Sequence, residues 1–291
     1  MEPTGRASIP LVHDGRDRPY LLHVPGGASG DPLPLLLELH GRGIDARRFD
    51  QLTGFGALAD EQGFALAMPS ALAEMWNDGR SHSPKWSREP DDVGYLSAVI
   101  DDACARTAID PARIYVVGMS NGAVMEGRLA CASAERIAAV AQVAGTAGVG
   151  IAAGFRPGRP LPILNIHGTA DRVAPYEGGI RHGLGARMVL RHAAGPMVGV
   201  DDWARFWVSA NGAYESALDG AQVDALPPDT TIRTWRGPSA DSDVVFYRVE
   251  GGGHTWPGGS RITLPAFMFG RTSRTFDATR LSWEFLAAHQ R

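Results

Sequence analysis

The stretch that decides the fold is Ile114-Tyr-Val-Val-Gly118-Met-Ser120-Asn-Gly122-Ala-Val-Met-Glu-Gly127. Its first four residues are apolar and mostly β-branched, which favours a buried strand. The Gly-x-Ser-x-Gly sequence that follows predicts a sharp turn from this strand into a helix, because Gly118 and Gly122 lack the Cβ atoms that would collide there. Such a turn exposes the serine hydroxyl beside the free backbone N–H groups of the helix start. Ser120 is therefore the candidate nucleophile.

Short apolar runs alternate with helical patterns on both sides of this turn. The predicted strands are Pro19–Val24, Leu33–Leu39, Phe64–Met68, Ile114–Val117, Ile137–Val143, Ile163–Ile166 and Val244–Val249. The predicted helices are Ala46–Gln62, Asp91–Arg106, Asn121–Ala132, Asp201–Ala210 and Ala278–His289. Strands separated by helices require right-handed crossovers, which give a mostly parallel sheet with helices on both faces. No linker or internal repeat divides the chain, so we expect an α/β fold in one domain over residues 1–291.

A nucleophilic serine needs a histidine base, and in folds with this turn the base follows the acid along the chain. His254 is the candidate base because it comes shortly after the predicted strand Val244–Val249, where three glycines let the backbone turn sharply. The other histidines in the required order lie in an Arg- and Gly-rich loop or near the end of the last helix: His182, His192 and His289.

The candidate acid is Asp171, which follows the predicted buried strand Ile163–Ile166 by a few residues. A carboxylate in that position can reach the imidazole and fix its orientation. Other acids lie in helix starts or polar turns, where they cap helices or are solvated: Asp201, Asp202 and Asp243.

A tetrahedral intermediate on Ser120 would need two hydrogen-bond donors for its oxyanion. We expect one to be the backbone N–H of Asn121, directly after the serine. The other is expected to be the backbone N–H of Arg42, in the turn His40-Gly-Arg-Gly43 that follows Leu33–Leu39. His40 and His167 are expected to hold their loops rather than to take part in the chemistry.

The composition argues against several other functions. The 291 residues include 28 Lys or Arg and 32 Asp or Glu, a net charge of −4, so no nucleic-acid partner is expected. No apolar run reaches the roughly 18 residues that a membrane span needs. Lys85 is the only lysine, and neither a phosphate-binding loop, a His-Glu-x-x-His motif nor a dinucleotide fingerprint is present, so no cofactor or metal is expected. Cys104 and Cys131 lie in predicted helices and are expected to be buried free thiols.

Several longer motifs lie along the chain. They are Leu39-His-Gly41, Asp92-Val-Gly-Tyr95, Ile109-Asp-Pro-Ala-Arg113, Gly118-Met-Ser-Asn-Gly122, Ile166-His-Gly-Thr-Ala-Asp171, Val173-Ala-Pro-Tyr176 and Val249-Glu-Gly-Gly-Gly-His-Thr-Trp-Pro-Gly-Gly259. Through them the chain resembles the α/β hydrolases that comprise poly(3-hydroxybutyrate) depolymerases and the related bacterial feruloyl and acetylxylan esterases. The resemblance covers about Tyr20 to His289. It implies an α/β-hydrolase fold and a serine esterase whose Ser–His–Asp triad falls on the three residues selected above.

The resemblance also implies an ester substrate. The leading expectation is poly(3-hydroxybutyrate)-type polyester or its short hydroxyalkanoate oligomers, with a feruloyl or acetylxylan ester as the alternative. A catalytically silent polymer-binding scaffold is a further alternative. Trp76, Trp86 and Trp256 lie on loops expected near the carboxyl ends of the strands, where ligands bind. Trp256, two residues from the candidate base, is expected to wall the acyl or alcohol site, whereas Trp76 and Trp86 either line the substrate site or pack their own loop.

Two features set the chain apart from the family pattern. Arg42 stands where members often have cysteine or another small residue, and the segment Met75-Trp76-Asn77 lacks the disulfide cysteines usual near it.

Members are frequently secreted, which implies a secreted or periplasmic protein. The chain shows no signal peptide, so a cytoplasmic location stays open, as does the oligomeric state.

Overall fold

The computed structural model of the protein describes residues 5–26, 30–80, 89–179, 196–215, 227–239, 242–260 and 266–291. The strands are β1 (Gly5–Ile9), β2 (Val12–His13), β3 (Arg16–Asp17), β4 (Tyr20–Val24), β5 (Leu33–Leu39), β6 (Ala65–Pro69), β7 (Ile109–Met119), β8 (Ala139–Val143), β9 (Ile163–Gly168), β10 (Tyr214–Glu215), β11 (Thr230–Arg236) and β12 (Val244–Val249). The helices are α1 (Ala46–Thr53), α2 (Phe55–Gln62), α3 (Asp92–Arg106), α4 (Asn121–Ala132), α5 (Val149–Ala152), α6 (Val200–Asn211), α7 (Ala266–Phe269) and α8 (Ala278–Ala287). A single 3₁₀ turn covers Leu72–Glu74.

One ten-stranded sheet, in the order β1-β4-β6-β5-β7-β8-β9-β12-β11-β10, forms the centre of the described structure. Its six middle strands, from β6 to β12, run parallel. Antiparallel strands flank them, with β4 and β1 on one side and β11 and β10 on the other. The predicted α/β fold with a mostly parallel sheet is confirmed.

Helices cover both faces of this sheet, and β5 shows how the sequence specifies that arrangement. Leu35, Leu37 and Leu39 pack into one core with helices α3, α4 and α6, whereas Leu36 packs into the other core with α1, α2 and α8. Successive side chains of a strand point to opposite faces, so a strand that is buried on both must be apolar nearly throughout. The leucine run meets this requirement.

The structure differs from the sequence prediction at one helix, at the start of one central strand and on the two flanks of the sheet. The predicted helix Ala46–Gln62 is two helices, because Gly54 has a φ of +82° and a left-handed residue ends an α-helix. Strand β7 begins at Ile109 rather than at Ile114. Strands β1 and β11 were not predicted; they alternate between buried and exposed positions and contain no continuous apolar run.

Both cysteines are free and lie on helices, as predicted, but their expected burial is wrong. Cys104 is exposed on the outer face of α3, and Cys131 is half-buried near the end of α4. Among the described residues, no helix has the length and apolar composition of a membrane span.

The topology gathers the loops that carry the predicted site residues. Parallel strands end at the same edge of a sheet, and β5, β7, β9 and β12 are among the six parallel strands. The loop with Gly41 follows β5, Ser120 follows β7, Asp171 follows β9, and His254 follows β12.

A buried ion pair links three segments of the chain near this edge. Arg18 Nη1 lies 2.6 Å from Asp92 Oδ1, and the two side chains are 1% and 0% exposed. The other carboxylate oxygen of Asp92 accepts a hydrogen bond from the backbone N–H of Asn77 (2.6 Å), and the Arg18 guanidinium stacks 3.7 Å from the ring centre of Tyr95. The pair thus connects the N-terminal region, helix α3 and the loop after β6.

Asp92→Asn should lower the free energy of unfolding by about 3–5 kcal/mol, because it leaves the buried Arg18 cation without its counter-charge. Asp101→Asn, on the same helix, is the matched control, since the Asp101 side chain is 68% exposed and its pair with Arg136 should contribute no more than about 1 kcal/mol. Urea unfolding of the two variants and the parent measures the difference. Equal unfolding midpoints for both variants would contradict the structural role given to this ion pair.

Candidate active site

Ser120 sits in a strained turn between β7 and α4. Its φ of 57° and ψ of −119° lie in a region that non-glycine residues rarely adopt and that is typical of functional sites. The backbone N–H of Ser120 donates to Val143 O (2.9 Å), and its carbonyl accepts from Val124 N–H (3.1 Å). These two bonds hold the turn between the sheet and the first turn of the helix.

Both glycines of the motif are required by close backbone contacts. A Cβ on Gly118 would lie 2.6 Å from the carbonyl carbon and oxygen of Gly122, and a Cβ on Gly122 would lie 2.2 Å from Leu39 O and 2.6 Å from His40 O. Real Cβ atoms do not approach backbone atoms this closely. The steric reason that the sequence suggested for the two glycines is therefore confirmed.

Asp171 and His254 form a hydrogen-bonded pair across 83 residues of sequence. His254 Nδ1 lies 2.8 Å from Asp171 Oδ2, and both residues are buried, with 4% and 6% of their surface exposed. The other carboxylate oxygen accepts from the backbone N–H groups of Val173 and Ala174, both at 2.7 Å. This arrangement fixes the carboxylate and turns the Nδ1 edge of the imidazole ring toward it.

The local charges keep Asp171 ionised. Burial by itself would raise the pKa of this carboxyl group, but the charge and hydrogen bond of His254, with His167 and the N–H of Ala174, lower it below its usual value. An ionised acid accepts a hydrogen bond from Nδ1–H and leaves Nε2 as the nitrogen that can take a proton.

The backbone around His254 is held by a segment that the sequence did not mark. His254 N–H donates to Phe269 O (2.5 Å), Gly253 N–H donates to Arg271 O (2.8 Å), and the Phe269 ring stacks on the imidazole with 6.3 Å between ring centres. Phe269 ends the one-turn helix α7, which is too short to give a periodic sequence signal.

Ser120 lies at the same sheet edge as this pair, two strands from β9. In the described part of the chain, no hydrogen bond joins the Ser120 hydroxyl to His254, and His254 Nε2 has no other hydrogen-bond partner there. Catalytic hydrogen bonds are often long before a substrate binds and shorten in the complex. The structure therefore brings the predicted acid and base into contact and leaves Nε2 without a competing partner.

The residues of the two predicted oxyanion donors are each next to Ser120 or next to a residue that contacts it. Asn121 is the first residue of α4, so its N–H has no acceptor within the helix. A Cβ on Gly41 would lie 3.5 Å from Ser120 Cβ, which places the backbone before Arg42 against the serine. The N–H of Arg42 donates to no acceptor in the described residues.

The side chain of Asn121 has a structural role that sequence reasoning missed. Its Oδ1 accepts from Trp76 N–H (2.7 Å), and its Nδ2 donates to Trp76 O (3.2 Å) and to Asp78 Oδ2 (2.5 Å). Asp78 in turn binds the Arg80 side chain through Nε (2.9 Å) and Nη2 (2.6 Å). The residue after the serine thus fixes the loop from Trp76 to Arg80. The Asn-Asp-Gly sequence of this loop indicates only a turn, so nothing in it pointed to the site.

His40 is a structural residue, as predicted. Its Nδ1 donates to Gly41 O (2.8 Å) and its Nε2 accepts from Ala71 N–H (3.0 Å). Burial lowers the pKa of His40 to about 4, against the opposing effect of the Gly41 carbonyl, so the ring is neutral near pH 7. A neutral ring in this tautomer matches both partners and holds the turn that carries Arg42.

His167 has a comparable supporting position behind Asp171. Its Nε2 donates to Ala174 O (2.8 Å) and lies 3.5 Å from Asp171 Oδ2. Burial lowers the pKa of His167, which Asp171 opposes, so the ring is neutral and serves to position the loop after β9.

The expectation that tryptophans line the substrate site needs correction. Trp76 is 0% exposed, with its Nε1 donating to His40 O (2.9 Å), and Trp256 is 1% exposed, with its Nε1 donating to Thr279 Oγ1 (2.9 Å). Both indoles stabilise loops by packing and hydrogen bonding inside the protein, so neither offers a flat face to a substrate. Trp86 lies outside the described residues.

A metal site is not apparent in the part of the chain that the structure describes. No group of three or more His, Cys, Asp or Glu side chains there is arranged to hold an ion. The loop that Asn121 holds carries instead the buried ion pair of Asp78 and Arg80.

Comparison with known sequences identifies relatives over most of the chain. A sequence profile described as "Esterase PHB depolymerase" matches residues 18–156. The protein "Putative esterase NocK" of Nocardia uniformis subsp. tsuyamanensis is 34% identical over 282 residues, which is 95% of this chain and 81% of that protein. "Feruloyl esterase B" of Piromyces equi is 25% identical over 244 residues, which is 81% of this chain and 42% of that protein.

Solved structures share the fold at low sequence identity. An acetyl xylan esterase from Aspergillus awamori superposes with a TM-score of 0.60 at 12% identity, covering 98% of this chain and 99% of that one. A thermostable esterase gives a TM-score of 0.56 at 16% identity, covering 98% and 63%. Together with the sequence relatives, these likenesses show that the chain belongs to the PHB-depolymerase-type esterase family, has the α/β-hydrolase fold and is a carboxylic ester hydrolase.

Proposed function

We propose that the protein hydrolyses short hydroxyalkanoate esters through an acyl-enzyme on Ser120, with His254 as the base and Asp171 as the acid that orients it. The observation that carries the proposal is the 2.8 Å hydrogen bond from His254 Nδ1 to Asp171, at the sheet edge where β7 ends in the strained turn of Ser120. Acyl transfer by a serine requires a buried acid–base pair close to that serine, and here the serine lies in a strained turn between a strand and a helix.

Each residue then has one step in the reaction. Ser120 Oγ attacks the ester carbonyl while His254 Nε2 takes its proton, and the imidazolium returns that proton to the leaving alcohol. Asp171 holds the ring in the tautomer with a proton on Nδ1. The N–H groups of Asn121 and Arg42 bind the oxyanion, and a water molecule activated by His254 then hydrolyses the acyl-enzyme.

The substrate class rests on two observations. The description of the family profile that matches residues 18–156 names PHB depolymerases, and this favours hydroxyalkanoate esters as substrates. The burial of Trp76 and Trp256 removes the flat aromatic surface expected to hold a polymer chain, which favours short, soluble oligomers over polyester. The relatives named feruloyl esterase support the alternative of a feruloyl or acetylxylan ester.

Ser120→Ala should lower kcat/KM for p-nitrophenyl acetate and butyrate by about 10⁴-fold or more, because the nucleophile is lost. Ser97→Ala, a half-buried serine of α3, is the control and should keep parental activity. A fluorophosphonate, whose phosphorus bonds to an activated serine with loss of fluoride, should label the parent and the control in equal stoichiometry and leave Ser120→Ala unlabelled. An unlabelled parent would favour the catalytically silent scaffold.

Asp171→Asn should lower kcat at neutral pH by about 10³–10⁴-fold, because an amide facing Nδ1 favours the wrong imidazole tautomer. The fold should persist, since the amide oxygen can still accept from the N–H groups of Val173 and Ala174. Asp202→Asn is the matched control, because the Asp202 side chain is 69% exposed on α6. If Asp171→Asn kept more than a tenth of the parental kcat, Asp171 would not be the orienting acid.

The natural substrate class can be tested by comparing kcat/KM for three esters under one set of conditions. We expect the dimer of 3-hydroxybutyrate to be hydrolysed fastest, ahead of methyl ferulate and acetylated xylan, because the site as described offers no aromatic platform to either. The control is p-nitrophenyl acetate, which reports whether the acyl transfer machinery is active. A higher kcat/KM for methyl ferulate or acetylated xylan would assign the protein to the carbohydrate esterases.

A further inference from the structure

A cluster of charged side chains lies beside the candidate nucleophile and is not used by the proposed reaction. Its members are Asp78 and Arg80, on the loop that Asn121 holds, and Arg42, on the turn after β5 whose backbone lies against Ser120. The cluster is close to the serine from two directions. Gly41, the residue before Arg42, packs on Ser120, and Asp78 binds the side chain of the residue after Ser120.

The hydrogen-bonding capacity of Asp78 is already committed. Its Oδ2 accepts from Asn121 Nδ2 and from Nε and Nη2 of Arg80, and its Oδ1 accepts from the backbone N–H of Arg80 (3.0 Å). The ion pair with Arg80 is buried, with side-chain exposures of 2% and 9%. Asp78 and Arg80 therefore neutralise each other.

Arg42 remains as the surplus cation of the cluster. It is half-buried, and its guanidinium forms no hydrogen bond or ion pair with the residues that the structure describes. Burial lowers the pKa of Arg42 below its usual value, Asp78 raises it and Arg80 lowers it further, yet a guanidinium stays charged at neutral pH. The guanidinium has lost part of its hydration, and an anionic partner would offset the free-energy cost of that loss.

We propose that Arg42 forms a carboxylate-binding subsite beside Ser120, and that the preferred substrates are esters that carry a free carboxylate. Such an anion would supply the counter-charge that Arg42 lacks, and the planar guanidinium can bind it through two parallel N–H···O bonds. The inference rests on the proposed function and narrows it. A short hydroxyalkanoate oligomer ends in a free carboxylate on the alcohol side of its last ester bond, whereas the interior of a polymer and a carbohydrate ester carry none.

The test uses a pair of substrates that differ only in charge. One is the dimer of 3-hydroxybutyrate as the free acid, and the other is the same dimer with its terminal carboxyl group converted to a primary amide. Release of 3-hydroxybutyrate from the single ester bond is followed by chromatography, and the ratio of kcat/KM for acid over amide is the readout. The parent enzyme should prefer the acid by about 10- to 100-fold, the strength of one charge-assisted interaction. Raising the ionic strength should reduce this preference.

Arg42→Gln should bring the ratio close to one, and Arg42→Lys should retain part of it, because lysine keeps the charge but not the planar fork. The backbone N–H of residue 42 is present in every variant, so any change in oxyanion binding cancels in the ratio. Arg48→Gln, an exposed arginine of α1, is the control for loss of one positive charge and should keep the parental ratio.

The outcomes separate this inference from the proposed function. Loss of fluorophosphonate labelling or of p-nitrophenyl acetate turnover would concern Ser120 and not Arg42. If the parent hydrolyses acid and amide equally well, or if Arg42→Gln keeps the parental ratio while remaining active, the carboxylate subsite is overturned. Should Arg42→Gln fail to fold, competitive inhibition of the parent by 3-hydroxybutyrate and its amide decides the question, since equal inhibition constants would also overturn it.

Discussion

The active site depends on how closely helix α4 approaches the end of strand β5. Gly122 contacts the carbonyl groups of Leu39 and His40 through its backbone alone, and the space between them excludes even one methyl group. This contact brings the turn that carries Arg42 close to Ser120 and to the start of helix α4. A side chain at position 122 would push the helix away and separate the two predicted oxyanion donors. Donors that are fixed before the reaction stabilise the oxyanion without the cost of reorganising it, so the catalytic potential of the site follows from this steric constraint.

The loop from Trp76 to Arg80 depends on the same helix start. The Asn121 side chain accepts from the N–H of Trp76 and donates to its carbonyl and to Asp78, so the loop is positioned by the residue whose N–H is the predicted oxyanion donor. Asp92 holds the next N–H of this loop, that of Asn77, through the carboxylate that also pairs with Arg18. Buried polar groups of this kind stabilise a single arrangement only when each is satisfied. The loop should therefore move little when a substrate binds.

The sequence predicted best those elements whose environment is uniform along their length. The bounds of β5, α4 and β12 agree with the prediction, because an unbroken apolar run or a glycine-marked start leaves few alternatives. The spacing of the strands also sufficed to select the buried pair of Asp171 and His254. It could not show which way Trp76 points, because its burial depends on the carbonyl of His40 and the amide of Asn121, which are distant in sequence. For the same reason the sequence could not show that Arg42 is left without an ion pair among the described residues. Asp78 pairs with Arg80, and only the folded loop brings these two side chains together.

A cation beside the nucleophile acts on the reaction as well as on binding. Negative charge develops on the carbonyl oxygen of any ester under attack, so the guanidinium of Arg42 favours that transition state even when the substrate is neutral. A bound carboxylate would offset part of this effect, while its own attraction to Arg42 would be the same in the ground state and in the transition state. Uniform binding of that kind lowers KM without raising kcat. Selectivity for acidic esters would then arise mainly from binding, whereas the rate of the chemical step would depend on the backbone donors together with the charge of Arg42. Position 42 would then act on both properties, on binding through its side chain and on the chemical step through its backbone N–H and its charge.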